Sequence, residues 1–361
     1  MEKRAKKRVC APAKKPLYIS RMQIFNNKGV KIVNTDNGSD LCPMFEYKKQ
    51  YKEYRTWGSG YYHLSTDGWK DNLLFHDEKE YANGMTQVGI ASLLYDFTVY
   101  SFVLMPNHIH MIVSGKGEDC VNAFVYLKRK LSSCLRQDGH EPLPEDYCFK
   151  LVPIETKEQM RSNYLYVARN PYEKHISTPG GYEWGSGYLF HSHLGRYLRG
   201  IRADEMSARE LCRQLQSREQ VPGHWEFHPD LGLTPLSFVK TDKFYELFPS
   251  IKGYESRLVK DYESFVQLSR QLDEEIEWTQ EEMADIISRH VQMGFGGKRI
   301  SDLNMEEKGM LAVQLFGKFG FVPEVIAQNL KMSVYLVKQF LQSKDFGKGL
   351  APANARFGAK M

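Results

Sequence analysis

Two histidines stand one residue apart in the nearly apolar stretch "LMPNHIHMIV", residues 104–113. In a β-strand, side chains alternate between the two faces, so His108 and His110 would point the same way. Neutral imidazole is a common ligand of divalent ions, and two converging rings can share one ion. The spacing alone leaves open whether the pair binds a metal or is hydrogen-bonded in the core. A metal would need a third ligand from elsewhere, of a polar, oxygen-bearing type.

The segment "QMRSNYLYVARNPYEK", residues 159–174, predicts a helix that carries two tyrosines. At about 100° per residue, Tyr164 falls on an apolar stripe, whereas Tyr166 falls among polar residues. Asn170 lies one turn after Tyr166, and an amide oxygen can bind a hard cation. The helix therefore allows a metal site, completed by the histidine pair, beside the Tyr166 hydroxyl. Taken alone, the helix favours the other interpretation, a half-exposed packing tyrosine and an asparagine that only ends the helix before a proline.

Strands and helices alternate around these residues. The pattern predicts strands over 60–68, 98–105, 108–115 and 147–154, and helices capped by Asp77, capped by Asp119, and over Lys157–Arg169, where Pro171 ends the last. The Pro106-Asn107 turn joins two of the strands. We expect a compact domain of mixed α and β structure with a central antiparallel sheet, followed beyond about residue 195 by helices. The acidic stretch "DEEIEWTQEE", residues 273–282, is expected to be the solvated start of a helix, with Thr279 and Glu282 as a capping box.

Composition narrows the class of protein. The chain has 361 residues, 42% of them hydrophobic, and no apolar run is long enough to span a membrane. No apolar segment follows the basic N-terminus, so no secretory signal is expected. The six cysteines form no C-x-x-C pair, which argues against zinc or a disulfide framework and suits a reducing cytoplasm. A net charge of +5 permits a nucleic-acid partner. Residues 1–15 contain seven Lys or Arg. This segment is either a solvated tail or a basic arm that contacts phosphates.

Together, "LMPNHIHMIV" and "YVARNP" resemble paired motifs of the HUH-type single-tyrosine transposases of the insertion-sequence class. The chain looks closest to the REP-associated tyrosine transposases. The family motif Met-Pro-Asn-His-hydrophobic-His is matched fully, and Tyr-Ile-x-x-Asn-Pro is matched with Val167 in place of Ile, 56 residues after His110. "YYHLSTDG" lies where the family has its first strand. The resemblance covers about residues 55–195, so the front extension and the long tail lie outside it.

The resemblance implies a role for each matched residue. His108, His110 and Asn170 would bind Mg²⁺ or Mn²⁺, and Tyr166 would be the nucleophile that forms a 5′-phosphotyrosine. The fold would be a ferredoxin-like or RRM-like antiparallel sheet with helices on one side. The substrate would be single-stranded DNA, often near a hairpin. The protein is expected in the bacterial cytoplasm at the nucleoid, and the extensions leave open whether it is a homodimer or a monomer.

The tail, residues 310–343, predicts three helices, the last capped by Ser333. The last two have the spacing of a helix-turn-helix, although an ordinary helical hairpin would look the same. Candidate DNA contacts are Lys331, Tyr335, Lys338 and Gln339 here, and Lys128, Arg129, Lys130 and Arg136 on the outer face of the earlier helix. The domains would be a basic arm and extension over 1–54, the transposase-like domain over 55–195, a helical connector over 196–300 and a helix-turn-helix-like tail over 301–361.

Three functions compete. The first is a metal-dependent DNA strand transferase, and the second is a DNA-binding regulator that has lost catalysis. The third is a metal-dependent hydrolase that uses water, with Tyr166 as a bystander. All four proposed site residues are present, which favours the first.

Overall fold

Four strands form an antiparallel sheet in the order β2-β3-β1-β4. The computed structural model describes residues 43–69, 72–174, 176–178, 180–191 and 198–343. The strands are β1 (Ser59–Thr66), β2 (Phe97–Leu104), β3 (Ile109–Lys116) and β4 (Phe149–Ile154), and the helices between and around them are α1 (Pro43–Tyr54), α2 (Glu78–Leu94), α3 (Gly117–Gln137) and α4 (Lys157–Glu173). The connectivity β1-α2-β2-β3-α3-β4 is that of a split βαβ fold. The prediction of a mixed α and β fold with an antiparallel sheet is confirmed.

Helices cover both faces of this sheet. One face, which includes Leu64 and Met111, packs into a core with α2 and α3. The opposite face carries Ile112 and packs against α4, whose Met160 and Tyr164 are buried there. The expectation of helices on one side was therefore wrong, because the apolar stripe of α4 also needs a sheet face to bury it.

Two helix ends differ from the sequence prediction. α3 begins at Gly117 rather than after Asp119, because a glycine there lets the chain pass close to α1: a Cβ would lie 1.9 Å from the Tyr54 carbonyl oxygen. α4 runs through Pro171 and ends at Glu173. Proline removes one hydrogen bond, yet the final turn is retained because the Lys174 N–H donates to the Asn170 carbonyl at 3.3 Å. The predicted cap Asp77 does accept a hydrogen bond from the Glu80 N–H.

The region after residue 197 is mainly helical but contains a small sheet. Its strands are β5 (Ile201–Arg202), β6 (Glu226–His228) and β7 (Gly232–Leu233), which are too short for an alternating pattern to show in the sequence. The α-helices beyond α4 are α5 (Gly187–His191), α6 (Ala208–Leu215), α7 (Asp242–Leu247), α8 (Ile251–Lys260), α9 (Tyr262–Leu272), α10 (Gln280–Gly294), α11 (Met305–Phe319), α12 (Pro323–Leu330) and α13 (Val334–Gln342).

The described residues belong to one compact unit, so the internal boundaries at 195 and 300 stay predictions. Most of the predicted basic arm, residues 1–42, and the end of the tail, 344–361, lie outside the described residues. None of the described helices is both long enough and apolar enough to cross a bilayer.

The tail helices pack around a common apolar core that includes Leu315, Ile326, Leu330 and Val337. α12 ends at Lys331 in the left-handed region, with φ 51°, and Ser333 caps α13 by accepting from the Leu336 N–H, as predicted. The two helices are thus joined by a tight turn at the predicted place.

Candidate metal and nucleophile site

The sheet face under α4 brings together the four residues singled out in the sequence. His110 lies in β3 and His108 just before it, while Tyr166 and Asn170 project from α4. The rings of His110 and Tyr166 are 5.4 Å apart between centroids, and His108 Nε2 lies 3.3 Å from Asn170 Oδ1. All four are buried. The phenol and the imidazoles therefore share one pocket within a single chain.

A third histidine, His63 of β1, fixes the orientation of His110. The Asn163 amide donates to the Gln159 carbonyl, which leaves its Oδ1 to accept from His63 Nδ1 at 2.6 Å. Neutral His63 then carries a lone pair on Nε2, which lies 3.1 Å from His110 Nδ1. His110 must donate from Nδ1 to satisfy it. The His110 Nε2 atom is then unprotonated and carries a lone pair. It is buried and has no hydrogen-bond partner among the described residues.

His108 is oriented in the same way. Its Nδ1 lies 2.7 Å from Asn107 Oδ1, an acceptor, so the proton sits on Nδ1 and Nε2 carries a lone pair. Asn170 donates from its amide nitrogen to the Tyr166 carbonyl, which turns Asn170 Oδ1 towards His108 Nε2. Two acceptors 3.3 Å apart repel each other unless a proton or a metal ion lies between them. Partners that hold the far nitrogen of each ligand are typical of metal sites.

The Tyr166 hydroxyl donates to the Glu274 carboxylate. The other oxygen of Glu274 lies 3.5 Å from His110 Nε2 and accepts from the Ser65 hydroxyl at 3.0 Å. Glu274 belongs to the acidic stretch expected to be a solvated helix start, and that expectation was wrong for this residue. Residues 273–279 form the short loop between α9 and α10, called the connector from here on and distinct from the predicted region 196–300. The Glu274 side chain in this loop is only 24% exposed. The predicted capping box of Thr279 and Glu282 does begin α10.

Burial sets the protonation of these groups. It lowers the pKa of His63 and of His108 to about 4, against partial opposition from their asparagine partners. Burial, together with the two neighbouring histidines, lowers the pKa of His110 well below its usual 6.5. All three rings are therefore neutral near pH 7, the form that binds metals. Burial and the nearby Glu274 carboxylate raise the pKa of the Tyr166 phenol well above 10, and burial also raises that of Glu274.

The donor set fits a divalent ion. His108, His110 and Glu274 each offer a ligand atom, and these atoms lie within 4.8 Å of one another. Asn170 Oδ1 adds a second oxygen beside His108. The unpartnered His110 Nε2 and the facing acceptors of His108 and Asn170 are the features that a cation would satisfy.

The predicted DNA contacts are not among the residues that form this pocket. α3 packs on the other sheet face, and Lys128 Nζ already donates to the carbonyls of Glu145 and Tyr147. Arg129 and Lys130 both lie over the Tyr126 ring, and Arg136 is exposed. In the tail, Lys331, Tyr335, Lys338 and Gln339 are exposed as expected. Their roles stay predictions.

The comparisons with known proteins add little. A search against protein-family models and a search of curated proteins gave no match. A search of solved structures found a REP-associated tyrosine transposase bound to a REP hairpin, with 12% sequence identity over 46% of this chain and 92% of that chain. The TM-score is 0.32. At that value the similarity carries no weight for the fold or the function of this chain.

Proposed function

We propose that this protein cuts and rejoins single-stranded DNA through a covalent bond between Tyr166 and a 5′-phosphate. The observation that carries the proposal is the convergence of the Tyr166 hydroxyl with the lone pairs of His108 and His110 in one buried pocket. A tyrosine serving only as packing would not need such a donor set beside its hydroxyl. The order and spacing of the two sequence motifs support the same reaction.

His108 Nε2 and His110 Nε2 would hold Mg²⁺ or Mn²⁺ together with an oxygen of Asn170 or Glu274. Imidazole ligands favour Mn²⁺ over Mg²⁺, which prefers oxygen alone. When bound, the cation would withdraw charge from the scissile phosphate and favour ionisation of the neighbouring phenol. Asn107 and His63 keep the two ligand nitrogens free of protons.

Glu274 is the proton acceptor for Tyr166. The phenol proton passes along the existing hydrogen bond to the carboxylate as the phenol oxygen forms a bond to phosphorus. The bond from phosphorus to the 3′-oxygen breaks, and that oxygen leaves as a hydroxyl after taking up a proton from water. Attack by a 3′-hydroxyl on the phosphotyrosine reverses these steps. The strand is rejoined without ATP because the phosphotyrosine conserves the energy of the broken bond.

The pocket is covered in this structure. The Tyr166 side chain is 2% exposed, its ring stacks on Phe265 of α9 at 4.9 Å, and Glu274 closes the remaining side. Lys150 donates to the Leu272 carbonyl at the end of α9, and Lys174 donates to the Glu275 carbonyl of the connector. A phosphodiester reaches the phenol only when the connector moves. The covered pocket is also the observation that favours the second candidate, a DNA-binding regulator without catalysis.

DNA would be recognised outside the pocket. We assign α12 and α13 as a helix-turn-helix whose exposed side chains Lys331, Tyr335, Lys338 and Gln339 read the duplex part of a hairpin. The scissile phosphodiester of the adjoining single strand would still have to reach Tyr166. The basic face of α3 would contact phosphates on the other side of the domain.

Incubation of the protein with labelled single-stranded hairpin DNA and Mn²⁺, followed by a denaturing gel, tests the reaction. We expect a covalent adduct with the wild type and none with Tyr166→Phe, which still binds DNA. Tyr164→Phe is the matched control, since the Tyr164 hydroxyl is buried without a hydrogen-bond partner among the described residues. It should form the adduct normally.

The other outcomes identify the competing functions. DNA binding with no adduct and no cleavage would support the regulator. Cleaved DNA without an adduct, unchanged by Tyr166→Phe, would support hydrolysis by water.

A further inference from the structure

A second cluster of ligand-type side chains lies where α2 begins and α3 has ended. His76 precedes α2, Glu80 lies in its first turn, and His140 follows α3. Each offers a ligand atom, and the three atoms lie within 4.8 Å of one another. The imidazole rings stack in parallel with centroids 3.6 Å apart, and the Glu80 carboxylate lies beside both. No part of the proposed DNA chemistry uses these residues.

The spacing of the atoms suits a small tetrahedral ion. His76 Nδ1 lies 3.0 Å from Glu80 Oε2, and His140 Nε2 lies 3.6 Å from Glu80 Oε1. Ligand atoms about 2.1 Å from a tetrahedral ion are about 3.4 Å apart, and these two distances, each to a different oxygen of Glu80, lie on either side of that value. The two rings are parallel, so rotation of the partly exposed His76 and His140 side chains would have to open the stack to turn both nitrogens towards one ion.

Glu80 supplies the second observation. Its side chain is 3% exposed, and Oε1 is buried without a hydrogen-bond partner among the described residues. The nearby cation Lys79 is paired instead with Asp138 at 2.9 Å. A buried carboxylate oxygen that lacks a hydrogen bond is costly unless an ion or a proton satisfies it.

We propose that His76, Glu80 and His140 form a Zn²⁺ site, with water as the fourth ligand. Two nitrogens and one carboxylate are a donor set that zinc accepts and that Mg²⁺ does not prefer. The absence of a C-x-x-C pair argued against zinc, but a site of histidine and glutamate needs no cysteine. The inference is independent of the proposed DNA reaction.

The site would fix the loop before α2, residues 72–76, which contacts the Pro106-Asn107 turn between β2 and β3. The N–H groups of Leu74 and Phe75 both donate to the Pro106 carbonyl, two residues before His108. The ion would join this loop to the end of α3, alongside the ion pair of Lys79 and Asp138. It would therefore stabilise the contact between α2 and α3 rather than take part in strand transfer.

The test uses the full chain with His108→Ala and His110→Ala, so that the first histidine pair cannot bind the metal. After removal of metals with a chelator, Zn²⁺ is titrated against a chromogenic chelator. We expect one tightly bound equivalent, a higher melting temperature with Zn²⁺ than with Mg²⁺, and visible absorption typical of four-coordinate Co²⁺ when cobalt replaces zinc. Adding His140→Ala should weaken Zn²⁺ binding by about 100-fold or more, because losing a direct ligand costs more than the roughly 10- to 100-fold loss typical of an outer-shell partner.

His224→Ala, a change at an exposed histidine elsewhere, is the matched control and should leave the Zn²⁺ equivalent unchanged. His76→Ala is a second variant at a partly exposed ligand, and circular dichroism confirms that each variant is folded. The proposal is overturned if the His108→Ala, His110→Ala protein binds no stoichiometric Zn²⁺. It is equally overturned if folded His140→Ala and His76→Ala variants bind zinc as tightly as the control.

Discussion

At the scale of single residues, hydrogen bonds to the far side of each imidazole decide what the near side can bind. Asn163 acts through His63 on His110, and Asn107 acts directly on His108. Both chains of contacts leave Nε2 unprotonated. The two candidate oxygen ligands differ in charge, because Asn170 contributes a neutral amide whereas Glu274 contributes a carboxylate.

That difference predicts the effect of removing each oxygen. Glu274→Gln should lower the affinity for Mn²⁺ by about 10-fold or more, and Asn170→Ala should lower it less, because ligand charge raises the affinity for hard cations. Free Mn²⁺ measured by electron paramagnetic resonance during a titration gives both values. Glu275→Gln is the control, since it removes the same charge from the adjacent, exposed residue. A larger loss with Asn170→Ala than with Glu274→Gln would make the amide the main oxygen ligand.

The sequence predicted part of this pocket. The i, i+2 spacing placed His108 and His110 on one face, and the helical angle separated Tyr164 from Tyr166. His63 was visible in "YYHLSTDG", but its place beside His110 depends on the register of β1 with β3. That register pairs Ser65 with His110 and puts His63 two residues along on the same sheet face. Glu274 gave no signal, because it is 108 residues from Tyr166 and an acidic run is usually a solvated surface.

At the scale of elements, local sequence signals predicted several helix starts, but they did not predict how the helices pack. The caps Asp77, Thr279 and Ser333 were read from single residues, since a cap is a local hydrogen bond. The path of α4 over the second sheet face, and its continuation through Pro171, depend on contacts with distant residues. The two- and three-residue strands β5 to β7 are too short to leave a pattern.

The α12–α13 pair allows a test at this scale. Lys338 and Gln339 are exposed on α13, where Lys338 forms a surface ion pair with Glu324, at 3.0 Å. Replacing both by alanine should weaken hairpin DNA binding and reduce the slope of log affinity against log salt by about 1, the value for one lost phosphate contact. Fluorescence anisotropy at several salt concentrations measures both. Lys252→Ala removes the same charge from exposed α8 and should have little effect; equal curves for the two proteins would count against a helix-turn-helix.

At the scale of the whole molecule, α4 joins the sheet to the C-terminal helices. Tyr166 packs with Phe265, Leu268 and Leu272 of α9 in one apolar cluster. Next to it, the buried Arg169 guanidinium forms ion pairs with Glu173 of the same helix and Glu282 of α10. The site is therefore covered by the same contacts that hold α9 and α10 against α4.

Arg169→Ala tests this junction. The change leaves two buried carboxylates without their cation, so the free energy of unfolding should fall by about 3–5 kcal/mol. Arg257→Ala, which breaks an exposed ion pair with Glu158, should cost less than about 1 kcal/mol. Urea denaturation followed by tryptophan fluorescence measures both changes. Equal losses of unfolding free energy in the two variants would show that the buried ion pairs do not hold α10 against α4.

The loss caused by Arg169→Ala should also depend on pH. Burial already raises the pKa of Glu173 to about 7 in the presence of Arg169, and removing the cation raises it further. A carboxyl whose pKa is higher in the folded state than in the unfolded state binds more protons when folded, so lowering the pH stabilises the variant. The gap in unfolding free energy between the variant and the wild type should therefore narrow between pH 8 and pH 5. A gap that stays constant or widens over that range would mean that the two glutamates are not left buried and charged, and that the helices separate from α4 instead.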